Sequence, residues 1–340
     1  MENLLPAKHP YLIAEIGGNH EGNFDYALDL CHLAIESGAD CIKFQIYCAE
    51  DLVNPDQNPD RFIHFKKFEL TSEQHIKLAK LCIDSGVDYL ASVWGDKHIK
   101  YIDKFCKFYK IGSGDLTNYP LIRNFAKIGK PLILSTGLST FDEVSQTVNF
   151  IRKTNPRYTK KNMIALLQCT SMYPIPFEDS NLAVMSQLSN IKNVQFGYSD
   201  HTIGDNALLI ASILGAQILE FHFTDSREGK SFRDHKVSLT CQEVKELKTK
   251  INQSKLLIGS NDKKPLKIEI DTNHLVTFRR ALYPKQNLFK GHILTEGDLL
   301  SLRPCHGISS ASIEDVIGMK LKRNINKLEP MSFDDLETPN

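Results

Sequence analysis

Two histidines, His201 and His222, stand at the ends of two short apolar runs, residues 194–198 and 218–223, with a helix-like segment, residues 206–214, between them. That order predicts a strand, a helix and a second strand joined as a right-handed parallel crossover. Side chains alternate along a strand, so Ser199 and His201 share one face, as do Glu220 and His222. Both imidazoles then come to the carboxyl ends of neighbouring strands, the edge where barrel and doubly wound enzymes keep their chemistry. Two neutral imidazoles with open positions beside them can hold a divalent ion that polarises a substrate oxygen. The plain alternative is a loop-capping His201 and a satisfied core His222. Ser199, Asp200 and Glu220, crowded around both, favour a site, because so many polar groups are costly to bury idle.

Further polar residues end the other strand-like runs: Glu15 the first, Lys43 and Gln45 the second, Ser92 the third, Lys110 and Ser113 the fourth. Ser135 and Thr136 end the fifth, and Thr170, Ser171 and Tyr173 follow the sixth. Two lysines, several hydroxyls and the turn from Gly112 to Asp115 suit an oxyanion bearing both phosphate and carboxylate, since ammonium and hydroxyl donors each bind such oxygens. Alternatively, Lys43 and Lys110 pair with Glu15 or Glu220 and only stabilise the interior. Cys169 could act as a nucleophile, but no base stands in its own segment.

Positioning these groups requires a sheet. Strand patterns fall at residues 11–15, 41–47, 88–93, 108–111, 131–135, 164–168, 194–199 and 218–223. Helical patterns follow at 24–37, 72–85, 97–105, 120–128, 141–153, 181–188, 206–214 and 242–253, and Thr71 with Gln74 and Thr140 with Glu143 match the capping box. Eight strand and helix units within about 250 residues measure a (β/α)8 TIM barrel; a doubly wound open sheet is the alternative. The turn after the first strand does not match GxGxxG, and no Walker pattern occurs. Residues 1–257 form the expected barrel domain and 258–275 a polar linker. A small module of short, turn-punctuated segments takes residues 276–340.

The 41 basic residues balance 41 acidic ones, so no global field points to nucleic acid. Neither a leader-like start nor a membrane span is visible, which predicts a cytoplasmic protein. The eight cysteines have no zinc-like spacing.

The motifs AEIGGNHEG (Ala14 to Gly22), IKFQIY (Ile42 to Tyr47), YKIGSGD (Tyr109 to Asp115), NYPLI, LSTG, CTSMYPIP (Cys169 to Pro176), GYSDHTIG (Gly197 to Gly204) and FHFTD, in this order, resemble the sialic acid synthase family. That family makes nonulosonic acids from phosphoenolpyruvate and an open-chain N-acetylated amino sugar, releasing phosphate by C–O cleavage. The tail resembles its antifreeze-like SAF module. The resemblance implies that His201 and His222 bind Mn2+ or Mg2+ and that Glu15 handles the proton of a water added at carbon 2. It also implies that Lys43, Lys110, Ser113, Ser135 and Ser199 hold phosphoenolpyruvate, that Gln45, Asp115, Tyr173 and Asp234 line the sugar site, and that Ser171 is among the substrate-binding residues. A domain-swapped homodimer follows as well, with Arg303 completing the partner's site.

Three stretches depart from the family pattern. Ser92, Val93, Trp94, Gly95 replaces Ser-Thr-Pro-Phe, which removes a threonine hydroxyl. Ser171 replaces an asparagine, and Phe232, Arg233, Asp234 replaces Gly-Pro-Asp. Two rival functions follow: a related aldol synthase taking a sugar phosphate, for which Arg227 and Arg233 are the candidate anion binders, and a sugar-binding barrel without turnover.

Overall fold

A computed structural model describes residues 10–339 of the chain; Met1 to His9, part of the stretch in which no leader was read, lie outside the described residues. The chain divides into two compact units, Met1–Gly259 and Ser260–Asn340.

In the first unit eight parallel strands close a barrel in chain order: β1 (Tyr11–Glu15), β2 (Cys41–Tyr47), β3 (Asp88–Trp94), β4 (Tyr109–Ile111), β5 (Leu132–Ser135), β6 (Ile164–Gln168), β7 (Val194–Asp200) and β8 (Ile218–His222). This is the TIM barrel expected from the sequence, and the open-sheet alternative falls. Alternation sorts the side chains. Leu12, Ala14, Ile42, Phe44 and Leu134 face outward into a core shared with the helices. Tyr11, Ile13, Cys41, Leu90, Phe108, Ile133, Ala165, Leu167 and Ile218 fill the interior as a separate apolar plug. Above that plug the inward positions turn polar. Register sets Glu15 beside both Lys43 and His222, Ser199 beside Glu220, and Ser92 beside Gln45 and Lys110.

Both expected capping boxes form, Thr71 with Gln74 and Thr140 with Glu143. Two helices were missed, Ala49–Leu52 and Pro59–Phe68, inserted between β2 and the next barrel helix. The longer begins at an Asn58 cap with Pro59 in its first turn, a start signal visible in the sequence but hidden by the polar composition around it.

The second unit pairs β9 (Ala281–Pro284) with β10 (Leu299–Leu302), and β11 (Lys320–Leu321) with β12 (Leu336–Glu337), all antiparallel, around Leu282, Leu294, Ile308, Val316 and Met331. The stretch read as linker is partly helical, because the barrel's last helix runs on to Ile258 and residues Lys267–Asp271 and His274–Thr277 form short helices.

Candidate active site

Four buried charged side chains cross the upper barrel. Lys43 Nζ lies 2.7 Å from Glu15 Oε2 and 3.9 Å from Glu220 Oε1, and Lys110 Nζ lies 3.3 Å from the same Glu220 oxygen. Hydroxyls complete the layer: Lys110 donates to Ser135 Oγ at 2.7 Å, Ser199 donates to Glu220 at 3.2 Å, and Lys43 reaches Ser92 at 3.5 Å. Gln45 donates to Glu15 Oε1 at 3.0 Å. A Cβ on Gly17 would sit 2.9 Å from that oxygen, so glycine keeps the space above the carboxylate open.

The two carboxylates differ in acidity. Burial raises the Glu15 carboxyl by more than Lys43 lowers it. Burial would raise Glu220 too, but Lys110 and then Lys43 outweigh it and hold the group down at about 2. Burial lowers Lys110; for Lys43 the adjacent Glu15 and Glu220 overcome burial and leave it raised. A charged pair whose members are pushed apart is the pattern of an acid/base residue beside a permanent anion.

The paired imidazoles lie above Glu220. Their rings are 5.3 Å apart, centroid to centroid, and both are buried. His201 Nδ1 donates to the Thr170 carbonyl at 2.8 Å, which fixes the proton there and leaves Nε2 with a free lone pair. His222 Nδ1 is buried without a hydrogen-bond partner, 3.9 Å from Asp234 Oδ2. Burial, reinforced for His201 by His222 and for His222 by Lys43, pushes both pKa values down to about 3, so both rings are neutral near pH 7. Two neutral rings, one with its tautomer fixed from behind and the other with an orphaned nitrogen facing a carboxylate, fit a divalent ion. Among the described residues the groupings of three potential ligands lie elsewhere, around Cys48.

Asp200 does not crowd this pocket as expected. As the odd member of the alternation it turns outward and accepts from Tyr198 and Thr202. Val93 likewise packs in the outer layer, so a threonine there would not have pointed inward in this chain. Cys169 is a poor nucleophile: burial pushes its thiol up to about 11, and the nearby His201 Nδ1, at 3.8 Å, is committed to Thr170.

Beside the lysines, the Ser113 hydroxyl accepts from the Gly137 amide at 3.1 Å. A Cβ on Gly137 would come within 2.6 Å of Ser171 Oγ and 2.8 Å of Ser113 Oγ. Ser113 and Ser171, far apart in sequence, thus converge on a cradle only glycine leaves empty. On the opposite side Tyr173 packs 4.0 Å from His201 and 5.5 Å from His222, centroid to centroid, under the Arg233 guanidinium at 4.2 Å. Arg233 also donates to Asp234 at 2.9 Å. Asp115 accepts from the Trp94 indole and from Asn118. Nothing in the sequence around Trp94 indicates that indole contact, which joins the end of β3 to the turn after β4. Arg303 lies in the second unit, exposed, with its guanidinium 5.5 Å from the Phe278 ring.

Residues 30–263 match the NeuB family and residues 279–337 the SAF domain. The chain belongs to the NeuB family. The resemblance read from the motifs therefore holds over both units, and this NeuB-family chain is a sialic-type acid synthase-like enzyme. It is 34% identical to the N,N'-diacetyllegionaminic acid synthase of Campylobacter jejuni over 95% of this chain and 98% of that protein. It is 30% identical to the human N-acetylneuraminate-9-phosphate synthase, over 92% and 89% of the two chains. The crystal structure of an N-acetylneuraminic acid synthetase from Leptospira borgpetersenii in complex with citrate superposes with a TM-score of 0.71 at 26% identity, covering 78% of this chain and 91% of that one. No helix among the described residues is long and apolar enough to cross a membrane.

Proposed function

We propose that this enzyme condenses phosphoenolpyruvate with the aldehyde of an N-acylated amino sugar, giving a nonulosonic acid and inorganic phosphate. The observation that carries this reading is the placement of two neutral imidazoles, 5.3 Å apart and tilted to one another, beside a buried layer holding two lysines. Lys43, Lys110, Ser135, Ser199 and the Ser113 and Ser171 cradle supply donors for the phosphate and carboxylate of phosphoenolpyruvate. The two lysines are already balanced by two carboxylates, so the trianion is received through hydroxyls and reorganised ion pairs, with Glu15 the group best placed to take up a proton.

His201 and His222 would hold Mn2+ or Mg2+, which supplies Lewis-acid polarisation of the sugar aldehyde when bound. Carbon 3 of phosphoenolpyruvate attacks the aldehyde carbon, water adds at carbon 2, and phosphate leaves with its bridging oxygen. Glu15 takes one proton of that water and, its raised pKa suiting the return, gives it to the departing phosphate, while the second water proton passes to the former aldehyde oxygen as the carbon 2 carbonyl forms. Gln45 keeps the Glu15 carboxyl oriented. Tyr173, Asp115 and Asp234 line the sugar side, fixed by Arg233 and Trp94. Catalysis takes place in the cytoplasm in a domain-swapped homodimer, Arg303 of one chain completing its partner's sugar site.

A sugar phosphate acceptor is disfavoured by the arginines. Arg227 is used by Glu243, with contacts of 2.5 and 2.8 Å, and by the Ser238 carbonyl at 2.7 Å, while Arg233 is stacked on Tyr173. The deciding experiment offers N-acetylmannosamine, di-N-acetylated hexoses and arabinose 5-phosphate with phosphoenolpyruvate and Mn2+, with mass detection of the product. Phosphate release without any sugar would overturn the reading, and ligand binding without phosphate release would favour a non-catalytic barrel.

A further inference from the structure

Just outside the layer described above, the segments that leave β2 and β3 bring together a second group of metal-ligating side chains. Cys48 follows β2, Asp51 lies in helix Ala49–Leu52, and His98 lies in helix Asp96–Ile102. One potential ligand atom from each, the Cys48 sulfur, an Asp51 carboxylate oxygen and a His98 ring nitrogen, falls within 4.8 Å of the others. None of the three has a part in the condensation.

The His98 ring gives the cluster its direction. The residue is only 7% exposed, and its Nδ1 is engaged by the Tyr101 hydroxyl at 3.2 Å. Its Nε2 is buried, has no hydrogen-bond partner and lies 3.7 Å from Asp51 Oδ2. Two ligands about 2.0–2.1 Å from a tetrahedral ion stand about 3.4 Å apart, so nitrogen and oxygen are already near bridging distance. Burial lowers the His98 pKa and keeps the lone pair available.

Gly95 makes the approach possible. A Cβ there would sit 3.1 Å from both Asp51 Oδ2 and His98 Cδ2, and the backbone φ of 141° is one that other residues rarely adopt.

Cys48 also groups with Glu50 and Glu69, but those carboxylates are occupied. Glu69 accepts from the Ala49 amide at 2.6 Å, and Lys66 ties Glu50 and Glu69 at 2.8 and 3.3 Å. On the His98 side the competitor is Lys97, 2.9 Å from Asp51 Oδ2 on a well-exposed side chain, an ion pair that solvent screens and that is cheap to exchange.

We propose that Cys48, Asp51 and His98 form a second metal site, separate from the imidazole pair, that takes a borderline-soft divalent ion such as Zn2+. A thiolate, an imidazole and a carboxylate are the donor set such an ion selects over Mn2+ or Mg2+. Binding converts the Cys48 thiol to a thiolate and releases one proton to solvent. The ion joins the two segments directly after Tyr47 and Trp94, whose rings are 5.4 Å apart, and so braces that wall of the barrel mouth.

Co2+ titration of the metal-free protein tests this, because only a thiolate ligand gives a sulfur-to-cobalt charge-transfer band. Cys169 lies near His201, so the decisive background is the H201A/H222A variant. The band is expected there and in the wild type. Added to H201A/H222A, C48S and H98Q should each abolish it and lower Zn2+ affinity by more than about a hundredfold, a larger loss than removing an outer-shell partner causes. Zn2+ should also raise the melting temperature of H201A/H222A but not of that variant carrying C48S. C48S and H98Q should keep their turnover with Mn2+, which separates this site from the proposed reaction. A band that survives in H201A/H222A carrying C48S, or no band in H201A/H222A, overturns the proposal.

Discussion

Glu15 and Glu220 face the same ammonium, that of Lys43, at 2.7 and 3.9 Å, yet they are set to opposite acidities. Lys110 makes the difference, because it approaches Glu220 and not Glu15. One carboxylate is thereby fixed as an anion that neutralises the lysines, while burial holds the other above the ordinary carboxyl range, so that it takes up a proton more readily.

Glu15→Gln should therefore lower kcat by about 10²–10⁴-fold, the usual contribution of a positioned acid or base, with little change in KM for phosphoenolpyruvate. In the wild type, activity should fall on the acid side through a pKa above the ordinary Glu value of 4.5, because the base is lost as it protonates. A Glu15→Gln enzyme with unaltered kcat would remove Glu15 from the chemistry.

Lys110→Met should destabilise the barrel by roughly 3–5 kcal/mol, since it leaves Glu220 with only the more distant Lys43. Adding Glu220→Gln to that variant should recover part of the loss. Urea unfolding of the single and double variants measures the coupling, and additive losses would show that the pair does not act as one unit.

His222→Ala should cost activity far more than stability. Its Nδ1 has no hydrogen bond to lose, whereas removing a ligand should exceed the about 10–100-fold penalty of losing an outer-shell partner. Steady-state rates at saturating Mn2+ set against melting temperatures decide it; a variant that merely unfolds would return His222 to the core.

Trp94→Phe should raise KM for the amino sugar about tenfold, the low end for a hydrogen bond to a charged group, and leave KM for phosphoenolpyruvate unchanged. Equal changes in both constants would mean that the indole only supports the β3 loop.

Acid should weaken the fold between about pH 6.5 and 3. His20, at about 4, and His75, His201 and His222, each at about 3, are all pushed below 6.5 chiefly by burial. Below 6.5 the unfolded chain binds protons that the folded chain refuses. Stability is thus complete above 6.5 and lost toward the folded values, at up to about 1.4 kcal/mol per pH unit for each ring. Asp200, raised by burial to about 6, and Glu15 work in the opposite sense, but two acids offset only part of four rings. Denaturant melts at pH 7, 5.5 and 4.5 should show a steady decline; a maximum at pH 4.5 would contradict it.

Much of this was legible in the residues themselves. Period-two alternation fixes which side of a strand each residue occupies, so the placement of Lys43, Ser199, Glu220 and the two histidines on the inner face needed only local geometry. The family motifs and both capping boxes are likewise local. Long-range convergence is not. That Lys110 meets Glu220, that Ser113 and Ser171 close over Gly137, that Trp94 bonds Asp115 and that His98 turns toward Asp51 and Cys48 depends on barrel closure, loop paths and burial. Removal of water from the interior likewise set the acidities of Glu15 and Glu220 apart. Those are properties of neighbours in space, which no spacing along the chain encodes.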